Sequence, residues 1–337
     1  VKIADFLAIR WRPPSGPLIE PPSFSPIIAD PSFLFPEESP QGAWELLAHS
    51  AWGLHRYSSA DGLAWRDRGL VFRNAMRPFI RRVPGRPAGD SASVGSAAGK
   101  YFLYFEAYRP FALPLTALPL RPRWHSLISF SESTDLQSWS RPRAVLSPDL
   151  PWMTDIKLGD SVSNPCLVEG GAGGAEAWRL YFSASLAFIP DCGFCEPRFI
   201  GVATGPDPAG PFAILSRPIV DPAMDLMPGV LGAGSLKAIP MEDGWIGLQN
   251  KIYRGADGKS RSAIFLLRSD DGFSWQTARP EPLLAPSSGW MASHVYACDC
   301  RFSEKDGLWH LYFNARDAWR IKDGVERIGK LVGETPV

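Results

Sequence analysis

The side chains in this sequence best suited to chemistry are carboxylates that stand among small residues, together with polar groups that close apolar runs. Asp30 opens Asp30-Pro31-Ser32, Asp90 sits in Gly89-Asp90-Ser91 and Asp160 in Gly159-Asp160-Ser161. Glu106 closes an aromatic-rich run, and Glu196 lies in Cys195-Glu196-Pro197. Two carboxyl groups meeting over one bond can cleave it: one, protonated, helps an oxygen depart, while the other, ionised, activates water or attacks. The pair needs unlike surroundings, burial around one and hydrogen bonds or an arginine beside the other. These acids are far apart along the chain, so only a fold that gathers distant segments can bring any two together.

The elements that must do so repeat. Ser59-x-Asp61-x-x-x-Trp65, Ser133-x-Asp135-x-x-x-Trp139 and Ser269-x-Asp271-x-x-x-Trp275 share one turn pattern, and Gly205-Pro206-Asp207 is a degenerate copy. In such a turn Asp accepts backbone N–H bonds and the aromatic starts the next strand. Upstream lies a second recurring segment that begins with an aromatic and alternates as a strand does: Trp44 to His49, Tyr101 to Glu106, Trp178 to Ser183, Trp245 to Asn250 and Trp309 to Asn314. Four short strands in each of five units predict an all-β, five-bladed β-propeller of four-stranded antiparallel blades. The single domain spans 1–337, with blades near 28–75, 78–147, 156–220, 230–285 and 290–337. The fifth unit runs out before its outermost strand, so residues 1–12 are expected to complete that blade and close the ring.

Composition agrees. Lys+Arg 35 balances Asp+Glu 35, and 45% of residues are hydrophobic, which argues against disorder and against nucleic-acid binding by bulk charge. Gly 31, Pro 33 and 13 Trp suit many turns between aromatic strands. No apolar run is long enough to span a bilayer. Five cysteines cannot all pair within one chain, which favours reduced thiols and leans towards the cytoplasm, with export left open because the chain starts at Val1.

In a propeller the start of the innermost strand and the end of the second strand surround one end of the central channel. The sixth positions of the five second strands are His49, Glu106, Ser183, Asn250 and Asn314, all polar. This column reads either as a pocket lining or as strand ends meeting solvent. Asn164 aligns with Asp30, each 14 residues ahead of its blade's Trp. Loops between second and third strands add Tyr108, Arg109, Trp124, His125, Glu196, Lys251, Arg316 and Trp319 to the same rim. Acids, a few bases and aromatics around a concavity suit a carbohydrate or glycoside ligand.

The five-unit repeat, the Ala29-Asp30-Pro31 opening and the Ser-x-Asp-x-x-x-Trp turns resemble the five-bladed propeller glycoside hydrolases, the group that includes families 43, 62, 32, 68, 117 and 130. The resemblance covers nearly the whole chain and implies hydrolysis or transfer of a glycosidic bond. It makes Asp30 the general base or nucleophile, Asp160 the supporting carboxylate, although Asn164 holds the aligned position, and Glu196 or Glu106 the acid. Blade four offers no Glu where family 43 places one. His49, Asp90, Arg109, Asn164, Ser183, Asn250, His294, Asn314 and Arg316 would then hold sugar hydroxyls or a carboxylate. No cofactor is required; a calcium ion near His294 is an option by resemblance alone, against a His simply hydrogen-bonded in the channel.

Other readings stay open. A non-catalytic glycan- or metabolite-binding propeller would need no acid in blade four. A scaffold could present the Pro- and Leu-rich insertion from Pro110 to Pro122 as a dimer contact, and that insertion could equally be a lid. Cys192-Gly193-Phe194-Cys195 and Cys298-Asp299-Cys300 read as buried thiols, as a Cys192–Cys195 disulfide, or as a four-thiolate zinc site for which the second pair is poorly spaced.

Overall fold

The computed structural model describes residues 1–84, 99–110, 112, 123–170 and 177–336. The chain forms a five-bladed β-propeller whose blades are antiparallel and successive in sequence. Blade one comprises Ile28–Leu34, Trp44–Ser50, Gly53–Ser59 and Arg66–Arg73; blade two comprises Ala75–Val83, Lys100–Tyr108, Trp124–Ser133 and Arg143–Leu146. Blade three comprises Val162–Glu169, Trp178–Ile189, Phe194–Gly205 and Ala213–Ile214; blade four comprises Val230–Met241, Gly244–Arg254, Ser260–Ser269 and Gln276–Thr277. Blade five takes His294–Ser303, Leu308–Arg316 and Glu326–Glu334 from the end of the chain, and Arg10–Arg12 from its beginning.

The ring therefore closes as the strand count demands. Arg10 pairs with Glu334, Trp11 with Gly333 and Arg12 with Val332, so first and last strands share one antiparallel ladder. The preceding short helix Ile3–Leu7 buries Phe6 completely, edge-on to Trp309 with ring centroids 4.8 Å apart. Aromatic edge-to-face packing adds to the apolar area removed from water there.

The recurrent turns are built as their residue types require. Asp61 accepts from the backbone of Leu63 and Ala64, Asp135 from Gln137 and Ser138, and Asp271 from Phe273 and Ser274, all at 2.7–2.9 Å. Those bonds hold the Asp61 and Asp135 carboxyls down to about 2. Asp207 makes one such bond, to Ala209, consistent with its degenerate motif.

The aromatic-led second strands stitch neighbouring blades. Their fourth and sixth residues lie on one face, since side chains alternate along a strand. At the fourth position Tyr312 donates to Gly62 O and Tyr181 to Gly272 O, each in the next blade's turn, and Tyr104 donates to Pro208 O. At the sixth position Ser183 donates to Gly234 O and Asn250 to Val295 O, while Asn314 accepts from Asp30 N and His49 from Arg77 N. Each of those four bonds reaches the innermost strand of the following blade.

Every innermost strand bulges, and in blades one, two, four and five one of these bonds arrives at or beside the bulge. The register shifts around Asp30-Pro31, Arg77-Pro78, Asn164-Pro165, Ala233-Gly234 and Tyr296-Ala297. Asp30, Arg77, Asn164 and Gly234 have φ between 48° and 64°. A β-bulge re-aims side chains, and proline suits it because no ladder N–H is needed there. Positive φ costs a non-glycine residue about 1 kcal/mol or more, and at Asp30 and Arg77 the clasp from the preceding blade offsets it.

Blade two differs from expectation. Its innermost strand is Ala75–Val83, starting at 75 rather than 78. Residues 85–98 intervene before the second strand, so Asp90 lies outside the described residues. Of the 110–122 insertion only Pro110 and Ala112 are described. No described helix is long and apolar enough to cross a membrane. None of the five cysteines forms a disulfide, and Cys166, Cys192, Cys298 and Cys300 are buried.

If the N-terminal segment closes the ring, Phe6→Ala should reduce the unfolding free energy by about 3–4 kcal/mol, and removal of residues 1–12 by more. Urea unfolding reads both, and a truncated chain as stable as the full one would refute the closure's contribution.

Candidate functional site

The bulges aim blade-one and blade-two side chains at one end of the channel. Asp30, with its side chain 15% exposed, places Oδ2 3.2 Å from His49 Nδ1. Burial and the Arg77 guanidinium hold the His49 imidazole down to about 3, so it is neutral and this contact is not an ion pair. Burial also raises Asp30, against the opposing pull of Arg77 and Lys237.

Arg77 is the cation at the centre. Its Nη1 donates to Glu106 Oε2 at 2.6 Å, and Trp124 Nε1 donates to Glu106 Oε1 at 3.1 Å. Glu106 is fully buried and spends both oxygens on these partners. Trp124 packs against Tyr108, ring centroids 5.1 Å apart. The side chain of Arg77 is 19% exposed, so guanidinium and aromatic pair together edge the opening.

Glu196 belongs to the third strand of blade three, opposite Ala187, rather than to a loop. Strands two and three of that blade run on to the pair Ile189–Phe194, which carries the ladder past Glu196. Buried in the channel wall, Glu196 has its carboxyl raised to about 8, burial outweighing Arg77, with Glu326 and Asp30 adding repulsion. A low-dielectric site favours the neutral form of an acid, and like charges favour it further.

Glu326 is an acid that the motifs did not disclose. It starts the third strand of blade five opposite Arg316, accepts from Arg316 Nη1 and Asn314 Nδ2 at 3.1 Å each, and is raised by burial to about 7. The Asn314 amide thus links the Glu326 carboxyl to the Asp30 backbone. Arg316 is buried, with its guanidinium over the Phe194 ring and its Nη2 on the carbonyls of Arg320 and Ile321. Tyr296, in the blade-five bulge, is 8% exposed, its hydroxyl has no hydrogen-bond partner among the described residues, and burial, with Glu196 and Glu326 adding to it, pushes its pKa up.

The remaining expected residues fall in different places. Asp160 lies on a short strand, Gly159–Asp160, that pairs with Trp124–Ser133 of blade two and not on blade three's innermost strand; its Oδ2 is 2.7 Å from His125 Nδ1 and it is 32% exposed. Arg109 is exposed just after the second strand of blade two. Asn164 occupies its bulge, donating to Ser163 Oγ at 3.2 Å. Ser183 and Asn250 are buried in the seams between blades. His294 is buried, its Nδ1 2.6 Å from Ser293 Oγ and its ring stacked on Tyr296. Among the described residues no three His, Cys, Asp or Glu side chains are grouped to hold a metal ion.

No known family's sequence profile matches the chain, and no curated relative does. Solved structures do. A glycoside hydrolase superimposes with a TM-score of 0.67 at 13% identity, covering 98% of this chain and 94% of its own. A family 117 glycoside hydrolase from Zobellia galactanivorans gives 0.60 at 14%, over 98% and 92%. An N-acetylgalactosamine deacetylase from F. plautii, in complex with blood group B trisaccharide, gives 0.58 at 12%, over 96% and 95%. The chain shares its fold with these structures. At these identities what is shared is the fold, and fold alone hosts more than one chemistry, so function rests on the site itself.

The raised Glu196 has a consequence for stability. Between pH 4.5 and about 8 the folded protein keeps a proton there that the unfolded chain has released, so this group's contribution to stability falls as pH rises through that window. Glu196→Gln should therefore gain melting temperature over the native protein as pH goes from 5 to 8, while parallel curves would show that no such proton is held.

Proposed function

We propose that the protein hydrolyses a glycosidic bond at the channel mouth, with Glu196 as general acid and Asp30 as general base or nucleophile. The observation that carries this reading is a carboxyl held protonated at neutral pH, Glu196, sharing a channel with a second carboxyl from another blade and with Arg77 between their fields. Asp30 is the more open of the two, and its backbone N–H donates to Asn314 Oδ1. Glu106, the rival acid, is engaged at both oxygens and is better suited to anchoring Arg77.

In this reading Glu196 delivers its proton to the leaving oxygen while Asp30 activates a water or attacks the anomeric carbon, and proton return to Glu196 resets the site. Arg77 supplies the positive field that lets Asp30 ionise as its neighbours stay neutral, the part that resemblance assigned to Asp160. Trp124, the more open ring of its pair with Tyr108, offers a surface for a sugar face. A carbohydrate ligand agrees with the trisaccharide complex of the structurally similar deacetylase.

A non-catalytic glycan-binding propeller is the second reading, and one observation favours it: burial raises Asp30 as well as Glu196, which disfavours an ionised base. Saturable sugar binding without turnover would select it.

A screen of aryl glycosides and oligosaccharides should reveal turnover, which Asp30→Asn should lower at least about 10²-fold. Full activity in that variant rules out its role. Glu196→Gln should likewise lose about 10²-fold or more on substrates whose leaving group needs a proton, far less on strongly activated aryl leaving groups. The alkaline limb of kcat/KM, expected near pH 8, should vanish with it; a limb that persists in Glu196→Gln assigns the acid elsewhere.

A further inference from the structure

A cavity of about 350 Å³ opens between blades three and four on the mouth side of the ring. Its wall is formed by the end of blade three's second strand, the start of blade four's innermost strand, and the short helix Pro222–Met224. Apolar atoms come from Leu158, Leu186, Phe188 and Leu231, and polar ones from Arg198 and Asp221. Phe188 is 39% exposed, and next in sequence to the lining residues Asp155 and Ala223 stand Ile156 and Met224, 89% and 81% exposed. Large apolar side chains gathered and left open to water mark a surface that something apolar covers.

The cavity adjoins the candidate acid. Its lining residue Ala187 is the cross-strand partner of Glu196, and Arg198 lies two residues on, along the same face of the strand. A general acid must reach the oxygen of the group that departs, so on the glycosidase reading, on which this rests, the leaving group lies on the side of Glu196. We infer that this cavity is the leaving-group subsite and that it takes an aryl or alkyl aglycone, with Arg198 and Asp221 bonding its polar substituents. A second sugar, covered in hydroxyls, would leave Leu186, Phe188 and Leu231 facing polar groups and gain little from their burial.

The probe is 4-methylumbelliferone, an aryl alcohol that reports its own binding by fluorescence. The native protein should bind it saturably, Phe188→Ser about fivefold more weakly and Leu231→Asp about tenfold more weakly. Phe188 lies at the surface, so its substitution keeps the test valid should Leu231→Asp fail to fold. Absence of saturable binding, or native affinity in Phe188→Ser, overturns the subsite. Sedimentation showing dimers that Phe188→Ser dissolves also overturns it, because a second copy then covers the apolar rim. Turnover of glycosides with neither binding nor sensitivity to these variants refutes the cavity while sparing Glu196. Binding as expected without turnover of any glycoside refutes the acid, and the leaving-group role with it.

Discussion

The hydrogen bonds that four of the five second strands send into the next blade's innermost strand are the constraint from which the rest follows. Ser183, Asn250, Asn314 and His49 each meet a backbone group at or beside the following bulge. A buried backbone polar group without a partner costs more than the bond that satisfies it returns, so these four bulges persist because the preceding blade completes them. Held at positive φ, Asp30 and Arg77 point their side chains where a regular ladder would not. The polar column that reads in sequence as a pocket lining is mostly the device that shapes the pocket.

Glu106 is the exception in that column, and it explains the electrostatics. Its oxygens go to Arg77 and Trp124 within blade two, fixing a guanidinium among acids from three other blades. Removing one partner from a buried charged pair costs far more than the pair contributes, which ties Arg77 to Glu106. Around that fixed charge, Glu196 and Glu326 are both pushed up by burial, and His49 is kept neutral. Raised carboxyls and a neutral imidazole thus surround one fixed cation.

Some features were legible in the residues, others were not. The Asp-turns, the aromatic-led strands and the missing outer strand of blade five specified the ring, including its closure by the first residues. Asp30 was found because Pro31 follows it and Trp44 stands 14 residues on. Arg77-Pro78 carries the same X-Pro signal but sits 24 residues ahead of Tyr101, the added length falling between the two strands, so the 14-residue spacing does not single it out. Glu326 had no motif: it acts through contacts with Arg316, Asn314 and the fields of other blades. Glu196 was seen but placed in a loop, because nothing in Cys195-Glu196-Pro197 shows that blade three's ladder continues past it, and proline usually ends one.

What the sequence by itself determined is whatever depends on contacts within a few residues: turn chemistry, strand alternation, the number of blades and the segment left to close them. Such signals are local, since an Asp side chain reaches its own turn and alternation is set by the pleat. Only the tertiary structure decided which acids share a channel, which of them keeps a proton, and that the polar column serves the seams. Those outcomes depend on dielectric and distance between blades, and neither is written in the spacing of residues along one strand.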